Sequence, residues 1–245
     1  MGFGQLFKKE WKSIFPLYAV FCAVVTAYHL FTLYRGAGWE EDFIFVSTFI
    51  IPAVIVGLLT VGMGYYQLQT EWKTNSIYLL LSLPIRGWKI MSAKLLASLL
   101  PLLVSMSWIT ASFAVVVLRG RWDTMHDFFP PLLPFLLNVA LNSLWMYLFT
   151  VVFLAVLLQF SFLCGQLAAR FQRTFACLAF IGGLWLVIRI SPPLSGLLAG
   201  IPGIAFGSDD TDLLYLHSGP FLVLLLLCAG LVWLNGYLFE KEVEV

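Results

Sequence analysis

The chain has 245 residues, 61% of them hydrophobic and only 11% charged, with a mean hydropathy of +0.93 and a formal net charge of +1. Soluble domains carry roughly 25% charged residues, so the composition excludes a soluble globular enzyme and points to an integral membrane protein. A balance so near neutrality gives no reason to expect a nucleic-acid partner.

About 20 apolar residues cross the hydrocarbon core. Six stretches qualify or nearly so, over residues 14–34, 43–66, 94–118, 132–163, 174–190 and 219–239. The predicted fold is an all-α membrane protein, a single domain over 1–245 with six transmembrane helices. The basic start leads into an apolar run with no small-residue cleavage site, which reads as a retained span and not a signal peptide. Phe7 stands where a lipidation signal needs Ser or Thr. Ahead of the first span, Phe3, Phe7, Trp11, Ile14 and Phe15 recur at helical spacing with Lys8, Lys9 and Lys12 opposite. That pattern predicts an interfacial helix over 2–13. Its lysine stems reach anionic head groups, so membrane lipids are expected partners.

The fourth stretch is long enough to overshoot the bilayer, so it tilts, breaks near Pro134 or extends into water. The fifth is short and ends at Arg189. Between the fifth and sixth, the apolar part Leu194 to Phe206 is interrupted by Gly and Pro and is too short to cross. Irregular backbone at membrane depth persists only where protein buries it or water reaches it. A re-entrant or surface-lying hairpin over 192–212 is therefore expected on the outer side. Orientation follows the lysines and arginines of short loops. Placing both termini in the cytoplasm puts Lys8, Lys9, Lys12, Lys73, Arg86, Lys89, Lys94, Arg170, Arg173 and Lys241 inside, ten of the fourteen basic residues. The acidic clusters at 40–42, 123/127 and 209–212 fall outside.

No P-loop and no HExxH motif occurs, and His29, His126 and His217 are scattered. Cys22, Cys164, Cys177 and Cys228 lie in apolar runs without ligand spacing, which argues against a disulfide framework or a zinc site. No catalytic, metal or cofactor-binding residues are expected. His29 and Arg189 sit near span ends, where snorkelling accounts for them. Asn138 and Asn142 share one face of the fourth span; they line a substrate path or make interhelical hydrogen bonds. The small pairs Ala53/Gly57, Thr60/Gly64 and Ala179/Gly183 permit close helix contact.

The longest cytoplasmic connection, 67–94, contains a short apolar run from Ile77 to Leu83 bordered by Glu71 and Lys73 before it and by Arg86, Lys89 and Lys94 after it. Thr70 is placed to cap a helix whose first turn holds Glu71, and Pro84 stops it near Leu83. A cytoplasmic helix over 70–83 is the expectation.

This constellation resembles the permeases of the ABC-2 type: an acidic residue (Glu71), a short polar stretch with Thr74, an apolar run from Leu79 that ends in Leu83-Pro84, a basic turn at Arg86, and Lys94 opening a span; the resemblance extends the expected ATPase-coupling set to Lys73 and Asn75. Six spans, an amphipathic N-terminal helix and an apolar hairpin between spans five and six agree with it. Where such permeases often carry a glycine after the acidic residue, this chain has Trp72-Lys73-Thr74-Asn75. The overall style is similar to small bacterial permeases of antimicrobial-peptide resistance and cell-envelope stress. The resemblance implies a coupling helix at 70–83, on which two separate ATPase subunits dock, with ATP and Mg bound in those partners and none in this chain. It also implies a second permease, identical or homologous, and residence in a bacterial cytoplasmic membrane. The competing expectation is an immunity or sensor protein that sequesters a toxic peptide without moving it.

Overall fold

Backbone amides find no partner in hydrocarbon, so apolar runs of bilayer length hide them in helices. The computed structural model describes residues 3–77, 86–125, 129–168, 171–198, 200–201, 203–206 and 214–241. Helix α1 spans Phe3–Arg35. The next span is built from α2 (Glu41–Phe45), a π-helical turn (Val46–Ile50) and α3 (Ile51–Lys73) in unbroken succession. Then come α4 (Gly87–Met125), α5 (Phe129–Leu167), α6 (Gln172–Leu197) and α7 (Gly219–Lys241). Six of these helical stretches are long and apolar enough to cross a membrane by length and composition.

Several boundaries differ from expectation. Residues 3–13 are not a separate interfacial element; they continue into the first span with Pro16 inside the same helix. Leu6, Glu10, Ile14 and Tyr18 form its buried stripe, so packing against neighbouring helices holds the helix straight through the aromatic segment. Thr70 and Glu71 do not begin a new helix, because α3 runs on to Lys73. It stops where Thr74 bonds back to the Thr70 carbonyl and Asn75 takes a left-handed φ of 53°, the conformation that ends helices and that Asn tolerates best after Gly. Of the expected coupling helix, Leu83 and Pro84 lie outside the described residues. α5 passes through Pro134 unbroken, and α6 continues past Arg189 through Pro192 and Pro193. The segment 192–212 therefore begins as helix. It then enters a two-stranded antiparallel ladder of β1 (Ile204–Phe206) and β2 (Leu214–Leu216), with Ala205 opposite Tyr215. These strands are the departure from an all-α chain.

α4 and α5 form the centre. α1 lies along α4, while α3, α6 and α7 each pack on α5. The main core joins Ile14 and Tyr18 of α1, Val56 and Met63 of α3, Ala97, Leu102 and Ile109 of α4, and Val151 of α5. A second cluster brings Leu6, Leu68, Ile90, Phe162 and Phe239 together, so the chain's first and last helical turns meet at one end of the bundle. α6 is peripheral, leaving Leu178, Ile181, Trp185 and Ile188 exposed, as a lipid-facing helix can.

The small residues serve close packing inside the chain. A Cβ at Gly57 would meet the Tyr147 hydroxyl at 2.6 Å, and one at Gly183 would meet Leu157 Cδ1 at 2.6 Å. Tyr147 also donates to the Ala53 carbonyl at 2.7 Å, fixing α3 to α5. The tightest approach is Gly87 of α4 against Gly236 of α7, where a Cβ on either glycine would run into the other helix's backbone. Gly236→Ala is expected to cost about 1–3 kcal/mol by overpacking, read as a lowered unfolding midpoint in detergent. Gly230→Ala on the same helix, with nothing within 4 Å, is expected to be neutral or to gain up to about 1 kcal/mol.

Candidate functional site

At the end where Leu6 of α1 and Phe239 of α7 share a cluster, three helices converge on one buried ammonium. Lys94 sits two turns inside α4, about 10 Å along the helix axis, and has no exposed surface. Its Nζ lies 2.7 Å from Glu71 Oε1 of α3 and 3.2 Å from Glu10 Oε1 of α1. Lys9 Nζ, largely exposed, approaches Glu71 Oε1 at 4.0 Å from the rim. Two carboxylates and two ammonium groups thus balance formally, with only Lys9 open to solvent.

The local sequence explains each placement. Glu10 occupies the i+4 position between Leu6 and Ile14 on the buried stripe of α1. Glu71 follows Gln67 by one turn of α3, and Ser98 follows Lys94 by one turn of α4; both neighbours are buried. Trp72 closes the cluster's flank, edge-on to Phe162 at 5.2 Å and to Phe239 at 6.1 Å.

A neutral polar track leads on from the charges. Gln159 of α5 lies against Gly64 of α3. Asn235 of α7 donates to the Val156 carbonyl, one turn before Gln159, at 3.2 Å. Both polar atoms of the Gln67 and Gln159 side chains, and Asn235 Oδ1, are buried without a hydrogen-bond partner among the described residues. Among the described residues, no group of three His, Cys, Asp or Glu side chains comes together as a metal site would require.

The sequence-predicted site residues divide. Lys73, Thr74, Asn75 and Arg86 are exposed at this end, beside the undescribed stretch 78–85. Lys8, Lys9 and Lys12 are exposed on the same side, while Phe7, Trp11 and Phe15 run as a ladder of rings with centroids 6.2 and 6.0 Å apart. Glu71 is instead inside the bundle. Glu10 and Lys94 as a buried pair escaped the sequence reading, although Glu10 breaks an apolar stripe at four-residue spacing, a signal that was there to find.

Asn138 and Asn142 sit together on α5, Asn142 Nδ2 donating to Asn138 Oδ1 at 3.1 Å. The same amide group donates to the Ala205 carbonyl of β1 at 3.3 Å, and Trp145 Nε1 donates back to Asn142 Oδ1 at 3.1 Å. The pair therefore ties the strand hairpin to α5. Near that end His29 is buried, bridging helices instead of snorkelling. Thr48 O, 2.8 Å away, only accepts, so Nε2 donates to it, while Nδ1 is hydrogen-bonded to the Ser112 hydroxyl at 2.7 Å. The π turn places that Thr48 carbonyl. Such turns recur at functional positions.

Breaking a buried ion pair from one side costs about 3–5 kcal/mol, because the remaining charge stays buried alone. Lys94→Met is expected to lose that much, lowering the unfolding midpoint and the monodisperse fraction in detergent. The triple variant Glu10→Gln, Glu71→Gln, Lys94→Met is expected to recover most of the loss. A triple variant no more stable than the single one would contradict the charge balance described here.

No protein-family model, no curated protein and no solved structure matches this chain, so a function has to be built from the residues above.

Proposed function

We propose that this chain is the membrane-spanning permease subunit of an ATP-driven exporter, working with two separate ATPase subunits that bind ATP and Mg and with a second permease, identical or homologous. Its cargo is amphipathic or hydrophobic, a peptide antibiotic or a lipid-like molecule. Both termini face the cytoplasm of a bacterium. In support, Lys8, Lys9, Lys12, Lys73, Arg86 and Lys89 are all exposed at the end where Leu6 and Phe239 share a cluster, as the positive-inside rule favours.

The observation that carries the reading is the clamp of Glu10, Glu71 and Lys94. Glu71 precedes the 74–86 connection and Lys94 follows it, and one ammonium joins both flanks to α1. A force applied by a docked partner at the exposed Lys73, Thr74, Asn75 and Arg86 reaches three helices as a unit. The unpartnered amides of Gln67 and Gln159 add a second support, since unsatisfied buried groups cost about 1–3 kcal/mol each, and a rearranged bundle that pairs them recovers that energy.

Purification from native membranes is expected to retain a P-loop ATPase whose hydrolysis rises with the true cargo. Arg86→Ala with Lys73→Ala, both on exposed positions, is expected to cut that stimulation about a hundredfold, each side chain supplying one charge-assisted hydrogen bond to the partner, while leaving the unfolding midpoint unchanged. Resistance to the cargo peptide is expected to vanish when the partner ATPase binds ATP without hydrolysing it. Full resistance with that inactive ATPase would instead establish sequestration without transport.

A further inference from the structure

The same end of the bundle holds a second feature that the charge cluster does not use. Between the start of α4 and the last turns of α7 lies a cavity of about 530 Å³, lined among the described residues by Arg86, Trp88, Ala229, Val232, Trp233 and Glu240. Its size falls within the range of small-molecule sites. The close Gly87–Gly236 approach holds its two walls together.

The lining changes character along one direction. Residues 229, 232, 233, 236 and 240 follow one face of α7, and Ala229 to Glu240 spans about 16 Å along the helix. Arg86 and Glu240 form a mouth carrying both signs of charge. Trp88 and Trp233 occupy the middle, both exposed, with the Lys89 ammonium 5.7 Å over the Trp88 ring and Tyr237 stacked on Trp233 at 5.8 Å. Val232 and Ala229 make the far end apolar. Tryptophan between a charged and an apolar zone is the pattern of the membrane–water boundary.

Glu240 has a second duty, since its Oε1 accepts the Gly87 backbone N–H and caps α4. A carboxylate has about four lone-pair sites, so one cap leaves capacity for another N–H donor. A purely anionic headgroup would face Glu240, and a purely cationic one would face Arg86. A ligand carrying phosphate and ammonium on one short arm, with a hydrocarbon chain behind, matches all three zones.

We propose that this cavity binds a zwitterionic phospholipid. Its phosphate sits on Arg86, and its ammonium lies between the Glu240 carboxylate and the face of Trp233, where aromatic rings attract cations; the Trp88 ring already carries the Lys89 ammonium. The start of an acyl chain lies along Val232 and Ala229. The site shares Arg86 with the proposed docking face, but its readout is bound lipid and not ATPase activity.

The test is native mass spectrometry of the full chain, purified in mild detergent after equilibration with vesicles of equal parts dioleoyl phosphatidylethanolamine and dioleoyl phosphatidylglycerol. The wild type is expected to retain one phosphatidylethanolamine per chain, preferred about tenfold, the value of one charge-assisted hydrogen bond. Arg86→Gln is expected to weaken retention of both lipids about tenfold by the same measure. Glu240→Gln keeps an oxygen for the Gly87 amide and is expected to abolish the preference while leaving the unfolding midpoint unchanged. Trp233→Leu, on an exposed position, gives a second measure that is independent of the cap and is expected to loosen phosphatidylethanolamine selectively. Equal retention of the two lipids by the wild type would overturn the proposal. So would retention unaffected by Arg86→Gln, or a retained mass belonging to a peptide or a second copy of the chain.

Discussion

Taking a lysine ammonium out of water costs several kcal/mol even after relaxation, so Lys94, with no exposed surface, fixes what has to surround it. It needs carboxylates within contact distance, and the two it has come from different helices, Glu10 and Glu71. Those helices must reach the same depth as α4 and turn the correct faces toward it. The register of α1 against α4 follows, and so does the length of α3, which must continue to Lys73 for Glu71 to arrive. Around this point the apolar packing of Leu6, Leu68, Ile90 and Phe239 closes without further charge. Hydrophobic contact alone would permit helices to slide in lipid, where apolar surfaces gain little by meeting one another. The ion cluster supplies the position-specific contact that removes that freedom.

Away from the cluster, register is set by single polar contacts. Tyr18 donates to Thr60 at 2.7 Å midway along α1 and α3, since the Thr60 hydroxyl is itself donating to the Val56 carbonyl. Tyr147 reaches Ala53, and His29 joins α1, α4 and the π turn near the opposite end. Each contact lies beside a small residue or an irregular turn that lets backbones come near. α6 is held near its end by the Ser195 carbonyl, 3.3 Å from His217 Nε2. It packs on α5 and α7 through Phe180, Leu184 and Val187 and otherwise presents apolar side chains outward.

The six apolar stretches were legible because apolar length is a one-dimensional property, and among the described residues six helices are long and apolar enough to cross a membrane. Their ends were less so. Phe3 to Phe15 carry an interfacial pattern, yet the segment is drawn into α1 by contacts with helices distant in sequence. Thr70 is a good capping residue, but a helix already running has no vacant amide there for it to cap. The hairpin was anticipated as irregular; the structure pairs two strands there and adds the Asn142–Ala205 contact, across 63 positions. The charge cluster was the hardest to see. Lys94 obeyed the positive-inside pattern and Glu10 was surrounded by lysines, so each had an ordinary local explanation. Only the fold shows that they meet across 84 positions.

That separation also orders events during synthesis. Ribosomes add about 5–20 residues per second, so on the order of 4–17 seconds pass between making Glu10 and making Lys94, and Glu71 appears between them. For that interval both acids belong to helices that have no interior cation to receive them. A carboxylate is poorly tolerated in hydrocarbon, which keeps the growing chain's acidic turns near the membrane surface until α4 arrives. Lys94 faces the mirror problem and enters only as the third party to two waiting acids. The cluster can therefore close only once α4 has been made, whatever the order in which the earlier helices pack.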